Sequence, residues 1–557
     1  MVDQQPSSSS TLEDEKEKGT TTIINTASNT SRSTNSSQET LSTVHQHDVL
    51  PPTFTSTEDA VTIVSFEPDD PANPYNWTMK TKALIILAAT LTGVNSTMGS
   101  IIASANLFYD SPNLLQATFN VPTGPQSVLP ASLYLVGFVF GPLIFAPLSE
   151  SPSFGRKPIL VTGFVLFVIS TLGASFANSW ALFLVMRFLS GTFGSPPLSV
   201  FGGCIADVFS DKIRRGRMLM VWSAATFVGP LGAPILGGFL GGRIGWRWVF
   251  WITLIVAGVT FVSVLLIPET LAARILRQKA RRLNKLHQGT GKRFVAPADL
   301  EKRSVLAALK TTLSRPLKML SGELVVIFTS LYIAFIYAVF YMMVQVYPAI
   351  FKGVYGFNAG ITGIMFSIIG VGTIIGCCIC WWSDNITLRL SMRHPTRRAE
   401  YLRLPLACVF GPVFVISILW IGLTGREEVH WAVPMIGTIP YGIAYNCIWI
   451  SLINYVADAY GIYSASALAA LGTTRSIAGA LIPLAVEDML KALGIARSCA
   501  ILAGISAALA LVPFGFIAYG DRIRAGSKFS ASLNKETTTS GEGEAPLERV
   551  VTSLSAV

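Results

Sequence analysis

Two arginines stand inside long apolar runs, where a charge is costly. Arg187 lies seven residues beyond Trp180, which at 1.5 Å per helical residue sets it roughly 10 Å below a membrane surface. Arg475 lies about 18 Å into a later run by the same measure. A cation at such depth costs about 2.5 to 3.5 kcal/mol on insertion scales and by default marks function; an arginine that snorkels for structural reasons is the alternative. The chemistry open to such groups is non-covalent, namely holding a counter-charge or helping to move a proton. Acids that could carry the proton are few, with Glu323, Asp458 and Asp207 near the ends of runs and none at a clear midplane position. The proton-coupling candidates are therefore Arg187, Glu323, Asp458 and Arg475. Histidine does not join them, because His45, His47, His287 and His394 fall in tails or loops and His430 at the edge of a run.

Other groupings could position a substrate or a moving helix. Glu150 with Gly155, Arg156 and Lys157 puts an acid, a turn glycine and two cations in one short loop. Such a set can latch one face through ion pairs, although loop cations also serve simply to orient membrane chains. Gly229, Ala233, Gly237 and Gly241 recur every four residues, with Pro230 and Pro234 beside them and Gly232 and Gly238 in the same stretch. That pattern is a close-packing seam with a built-in bend. Tyr337, Tyr341 and Gln345 form one i+4 stripe, and Tyr441, Tyr445 and Trp449, with Asn446 alongside, form another. Buried hydroxyls and amides need partners, so these stripes, together with Asn95, are candidates to line a substrate cavity rather than to meet acyl chains. Interfacial belts and interhelical hydrogen bonds are the competing explanation.

The elements that must carry these groups are membrane helices. Of 557 residues 51% are apolar and only 13% charged, where a soluble chain carries about 25% charged. That excludes a soluble enzyme. Apolar runs of about 20 residues cross a bilayer, and twelve can be traced, from residues 83–102 to residues 499–519. The fold expected is an all-α membrane protein of twelve transmembrane helices in two six-helix halves. The division is a disordered cytosolic N-terminal tail over residues 1–82, a first half over 83–268, a basic cytosolic connector over 269–320, a second half over 321–520 and a cytosolic tail over 521–557. Residues 1 to about 60 are rich in Ser, Thr and Asn and have the composition of a disordered segment.

The net charge of +10 does not point to nucleic acid, since the basic residues sit in short connectors. The stretch 269–321 alone holds 13 Lys and Arg against three acids, which by the positive-inside rule places it and both termini in the cytosol. All seven cysteines lie in apolar runs, so no disulfide framework is implied, and Cys377, Cys378 and Cys380 lack a second ligand pair for a metal.

Several stretches together carry a resemblance. They are Asn73-Pro-Tyr-Asn-Trp77, Glu150 with Gly155-Arg156-Lys157, Arg187-Phe-Leu-Ser-Gly191, Gly229-Pro-Leu-Gly-Ala-Pro-Ile-Leu-Gly-Gly238, Trp246-Arg-Trp248, Pro268-Glu-Thr270 and Tyr455-Val-Ala-Asp-Ala-Tyr460. Over roughly residues 65 to 520 the chain resembles the major facilitator superfamily and, within it, the fungal branch of twelve-span drug:proton antiporters. The resemblance implies an inner gate at Glu150, Gly155, Arg156 and Lys157, a link between Arg187 and proton transfer, and an antiport role for the Gly229, Pro230, Gly232, Pro234, Gly237, Gly238 stretch. The last favours export. Ala146 departs from the family's usual glycine, Ser151-Pro-Ser153 makes the spacing from Glu150 to Gly155 two residues longer than usual, and Leu471 stands where an asparagine often precedes the arginine.

The function expected is proton-coupled efflux of a drug, toxin or secondary metabolite across the plasma membrane by alternating access. Scarce acids favour a neutral or weakly charged amphiphilic substrate. The bilayer and protons are the other partners, the protein is monomeric, and neither cofactor nor covalent catalysis is required. No glycine-rich phosphate loop of the ATPase type appears. Proton-coupled uptake of a nutrient or polyamine, and a non-transporting membrane receptor or scaffold, remain as alternatives.

Overall fold

The computed structural model describes residues 61–104, 115–121, 124–241, 244–288, 293–300, 305–393 and 399–525. The expected disordered segment over residues 1–60, the tail from residue 526 onward, and His45, His47 and His394 lie outside them.

The architecture is helical and built for lipid. In the first part of the chain run α1 (Met79–Ile102), α2 (Pro125–Glu150), α3 (Arg156–Ser175), α4 (Trp180–Gly194), α5 (Pro196–Val208), α6 (Lys212–Thr226), α7 (Val228–Leu236) and α8 (Trp246–Leu266). The connector carries α9 (Ala272–Leu286) and α10 (Val305–Gly322). Then come α11 (Leu324–Tyr347), α12 (Ala359–Ser367), α13 (Ile369–Arg393), α14 (Leu404–Thr424), α15 (Ala432–Tyr460), α16 (Ser464–Leu481) and α17 (Val486–Ala525). Bulky apolar side chains on their outer faces, such as Ile255, Val259, Ile374 and Leu511, are 64 to 67% exposed. In water that surface would aggregate; against acyl chains it is the solvated face.

Among the described residues, ten segments are long and apolar enough to cross a membrane, against the twelve runs traced in the sequence. The difference has a local cause at two places. The fourth run is divided into α4 and α5 at Ser195, because Pro196 lacks the N–H that would continue the helix and instead opens a new one. The last two runs are counted together as Ser464–Gly520, although Gly494 at φ +76° interrupts the helical path between them. Elsewhere the ends follow ordinary capping: Ser179 and Asn358 accept from the N–H groups of Leu182 and Ile361.

Residues 61–82 do not behave as the tail to which the sequence assigned them. Val61–Ile63 forms a short strand, β1, parallel to β2 (Arg293–Val295) of the connector, so the chain is not wholly helical. Val64, Phe294, Ala296 and Ala280 of α9 close a small apolar core around this pair. Lys279 of α9 pairs with Asp70 at 2.7 Å. The Asn284 amide both donates to and accepts from the Phe294 backbone at 2.7 Å. Further on, Asn76 and Trp77 donate to the carbonyls of Pro68, Asp70 and Pro71, winding the segment into the start of α1. Membrane helix thus begins at Met79, four residues before the expected boundary.

Helices α1 to α8 pack on one another, as do α11 to α17, and the two groups meet along α2 with α16 and along α7 with α12. These seams are close because they are lined by glycine. A Cβ at Gly363 would stand 2.5 Å from the Pro234 carbonyl oxygen of α7, and one at Gly479 would stand 3.3 Å from the Leu135 side chain of α2.

Candidate functional site

At the junction of the two groups the structure gathers one arginine and a set of rings. Arg475, in the middle of α16, holds its guanidinium carbon 4.7 Å from the Trp449 ring centroid and 5.1 Å from that of Tyr337. It makes no hydrogen bond or ion pair among the described residues, and its Nε is buried without a partner. Tyr337 and Tyr341 lie ring to ring at 5.1 Å with hydroxyls 3.4 Å apart. The Tyr341 hydroxyl reaches across to Ser100 of α1 at 2.7 Å. Tyr445 stacks beside Trp449 at 6.3 Å and meets Phe227 of the first group edge-on at 5.5 Å. Four of the eight cavity candidates, Tyr337, Tyr341, Tyr445 and Trp449, therefore converge on one place together with Arg475.

Of the other four, Tyr441 continues the stack from Tyr445 at 6.5 Å, and Gln345 and Asn446 bond outside the group. Tyr441 stacks on Phe414 of α14 at 5.1 Å, its hydroxyl without a partner. Gln345 donates to the Pro483 carbonyl at 2.8 Å, and Asn446 donates to Thr373 and to the Cys377 thiol of α13. Both amides thus tie helices of the second group together. Asn95 is fully buried with neither side-chain atom bonded.

Arg187 is a clamp in this arrangement. Only 1% exposed, it donates from Nη2 to the Gly99 carbonyl of α1 at 2.7 Å and from Nε to the Pro130 carbonyl of α2 at 3.2 Å. Its guanidinium lies 4.6 Å from the Tyr134 ring, and Tyr134 in turn donates to Ser96 of α1. A cation with several fixed donors binds three helices at once here, a task that suits guanidinium better than ammonium.

The Gly-Pro stretch is divided between neighbours. Gly229 lies against the α1 backbone at Val94 and Met98, while Gly238 lies against Ala359 at the start of α12. Gly232 faces open space. Pro230 and Pro234 are buried in α7, and from Gly237 the helix widens into a π turn to Gly241. The stripe therefore serves two seams, one within the first group and one between groups.

At the connector end Arg156 joins Asp207 at 3.1 Å and Glu150 at 3.9 Å, with Ser149 accepting a further bond. The backbone N–H groups of Arg156 and Lys157 both donate to the Glu269 carboxylate, and Lys157 donates to the Leu265 carbonyl at 2.8 Å. Gly155 has φ +78°, and a Cβ there would run into Arg274 and Glu269. Arg274 itself pairs with Glu269 at 3.6 Å and donates to the Ser153 carbonyl. The second group repeats the core of this device. Arg403, at the start of α14, pairs with Asp384 of α13 and, at 3.2 Å, with Asp458 at the end of α15. Asp458 is thus an ion-pair member, while Glu323, 2% exposed, accepts from the Tyr460 hydroxyl at 3.1 Å.

Sequence reading passed over Glu269, Arg274, Asp384 and Arg403 as site residues. A signal for the last two existed, namely an acid near the end of one apolar run followed by an arginine at the start of the next, as with Glu150 and Arg156.

Comparison with known proteins places this geometry among transporters. The family model described as Major Facilitator Superfamily matches residues 85–483. An efflux pump, FUBT, of Fusarium oxysporum is 36% identical over 84% of this chain and 77% of its own length. The major facilitator superfamily multidrug transporter mdrA of Aspergillus fumigatus is 35% identical over 85% of this chain and 76% of its own. Among solved structures, the xylose transporter XylE from E. coli, in a partially occluded inward-open conformation, superposes with a TM-score of 0.53 at 17% identity, covering 79% of this chain and 98% of that one.

Proposed function

The chain belongs to the major facilitator superfamily, and from that premise we propose that it exports small amphiphilic molecules across the plasma membrane in exchange for protons. The observation that carries this reading is the ring of Tyr337, Tyr341, Tyr445 and Trp449 around Arg475 at the place where the two helix groups meet. Relatives that are efflux pumps by name, FUBT among them, support the direction.

The spanning segments are read as twelve, with α4 and α5 forming one broken span and Gly494 separating the last two. Two six-helix halves follow from that division. The paired arginine-acid clusters, Arg156 with Glu150 and Asp207, and Arg403 with Asp384 and Asp458, occupy corresponding places in the two halves and support an internal repeat. The basic connector sets its own end of the molecule in the cytosol. Glu323, a carboxyl buried beside the Tyr460 hydroxyl, is our candidate to take up and release the coupled proton. Polyamine uptake is a poor alternative, because a polycation would meet Arg475 and, among the described residues, no carboxylate bonded to the rings.

Reconstitution in proteoliposomes with an inside-acid gradient tests the reading directly. A neutral fluorescent dye is expected to accumulate as protons leave. Dye movement indifferent to the gradient would sink the antiport mechanism.

A further inference from the structure

Two arginines lie within the helix bundle, and their donors are used in opposite ways. Arg187 has its donors turned to the carbonyls of Gly99 and Pro130. Arg475 has rings against it and no acceptor among the described residues: no carboxylate lies within ion-pair distance and no carbonyl is bonded, and its Nε is buried. Aromatic contact offsets part of the cost of burying a guanidinium, but it leaves the N–H donors unmet. Five N–H groups in a rigid fork match a carboxylate bidentately.

The surroundings specify the rest of the ligand. Trp449 and Tyr337 flank the guanidinium, Tyr445 extends the wall from Trp449, and Phe340 lies 5.4 Å from Tyr445. A flat apolar body can stack on such a wall while its charged group reaches the arginine. The unpartnered Tyr445 hydroxyl offers a further polar contact beside it.

We propose that Arg475 is the charge-recognition point of the substrate cavity and that the transported molecules include monoanionic aromatic acids. The proposal rests on the exporter reading above and narrows its substrate class. Trp449 and Tyr337 hold the aromatic body and orient the guanidinium edge toward the carboxylate, and a substrate without the negative charge leaves those donors unmet.

Equilibrium binding of 1-naphthoate and of 1-naphthamide to the purified full-length protein tests this, since the two probes share a ring system and differ in charge. Naphthoate is expected to bind about tenfold tighter or more, the lower range for hydrogen bonds to charged groups. Arg475→Gln should remove that preference by weakening naphthoate at least about tenfold more than naphthamide, with Arg475→Lys between the two. Equal affinity of the unaltered protein for both probes overturns the proposal, and that comparison needs no variant to fold. A variant that weakens both probes alike also overturns it. Proton-driven flux of a neutral dye in the same preparation separates the two readings. Flux without naphthoate preference removes the anion site and keeps the exporter, whereas naphthoate preference without proton-driven flux does the reverse.

Discussion

Arg187 shows how far a residue's type and depth can be trusted. Its intramembrane charge is visible in the sequence, but its partners are the backbone carbonyls of Gly99 and Pro130, and carbonyls have no residue identity to read. Arg187→Lys keeps the charge and surrenders the fork; hydrogen bonds from charged groups contribute about 1.5 to 3 kcal/mol each. Thermal stability of the purified variant should therefore fall along with transport. A lysine variant of unchanged stability that lost only proton flux would make Arg187 a proton-transfer residue instead. For Glu323 the expectation is the reverse. Buried and accepting from the Tyr460 hydroxyl, it should keep that bond in Glu323→Gln, because an amide oxygen still accepts, and the thermal stability of the purified variant checks that the fold is intact. Proton-driven accumulation should then drop to the level of energy-independent exchange, and retained accumulation would remove Glu323 as the carrier. The i+4 stripes were legible in the same partial way. Spacing put Gln345 and Asn446 near the right rings, but their amides turn toward Pro483 and Thr373, and nothing in a period of four chooses between a cavity and a neighbouring helix.

Elements were more legible where apolar length decides them and less so where two distant segments must meet. The run over residues 83–102 falls on α1 to within four residues at its start, whereas the fourth run, traced as continuous, breaks at Pro196-Pro197. The β1–β2 pair was invisible, since three residues on each side carry no pattern until α9 supplies the apolar cover. This clasp has a pH signature. Burial alone would lift the Asp70 carboxyl, but hydrogen bonds from Lys279 and the Ala72 N–H, with the ammonium charge, hold it below its ordinary range. Its contribution is therefore complete above the unperturbed carboxylate value of ~3.9 and is lost only as pH falls through the lowered folded-state value. Hydrogen exchange at the Val64 amide, bonded to the Val295 carbonyl, should stay protected from pH 7 to 5 once intrinsic rates are corrected for. Asp70→Asn should expose it at neutrality, and loss of protection in the unaltered protein above pH 5 would refute the assignment. At the α7–α12 seam, Gly238 abuts the Ala359 backbone, so Gly238→Val must push the two apart. Overpacking of this kind costs about 1 to 3 kcal/mol, which shifts a two-state opening ratio roughly five- to 150-fold. A cysteine placed at Tyr337 should label faster from the end bearing Gly356 in that variant; an unchanged rate would mean that the seam does not separate during the cycle.

At the scale of the molecule, the charge on Arg475 and the direction of export combine into an electrical prediction. If one proton enters as one neutral molecule leaves, a single positive charge moves inward in each cycle. If the departing molecule is a monoanion, its exit moves a second charge in the same electrical sense. Each charge is driven by about 2.3 kcal/mol per 100 mV, so the driving force doubles to about 4.6 kcal/mol by the same constant. At 1.4 kcal/mol per tenfold, that raises the limiting gradient from roughly fifty-fold to roughly two-thousand-fold. Proteoliposomes clamped with potassium and valinomycin at equal pH on both sides measure this without a proton gradient. The logarithm of the steady-state accumulation ratio should rise with voltage twice as steeply for 1-naphthoate as for 1-naphthamide. Equal slopes would mean that a second proton accompanies the acid or that it crosses in its neutral form, and Arg475 would then recognise a charge that the cycle as a whole does not carry.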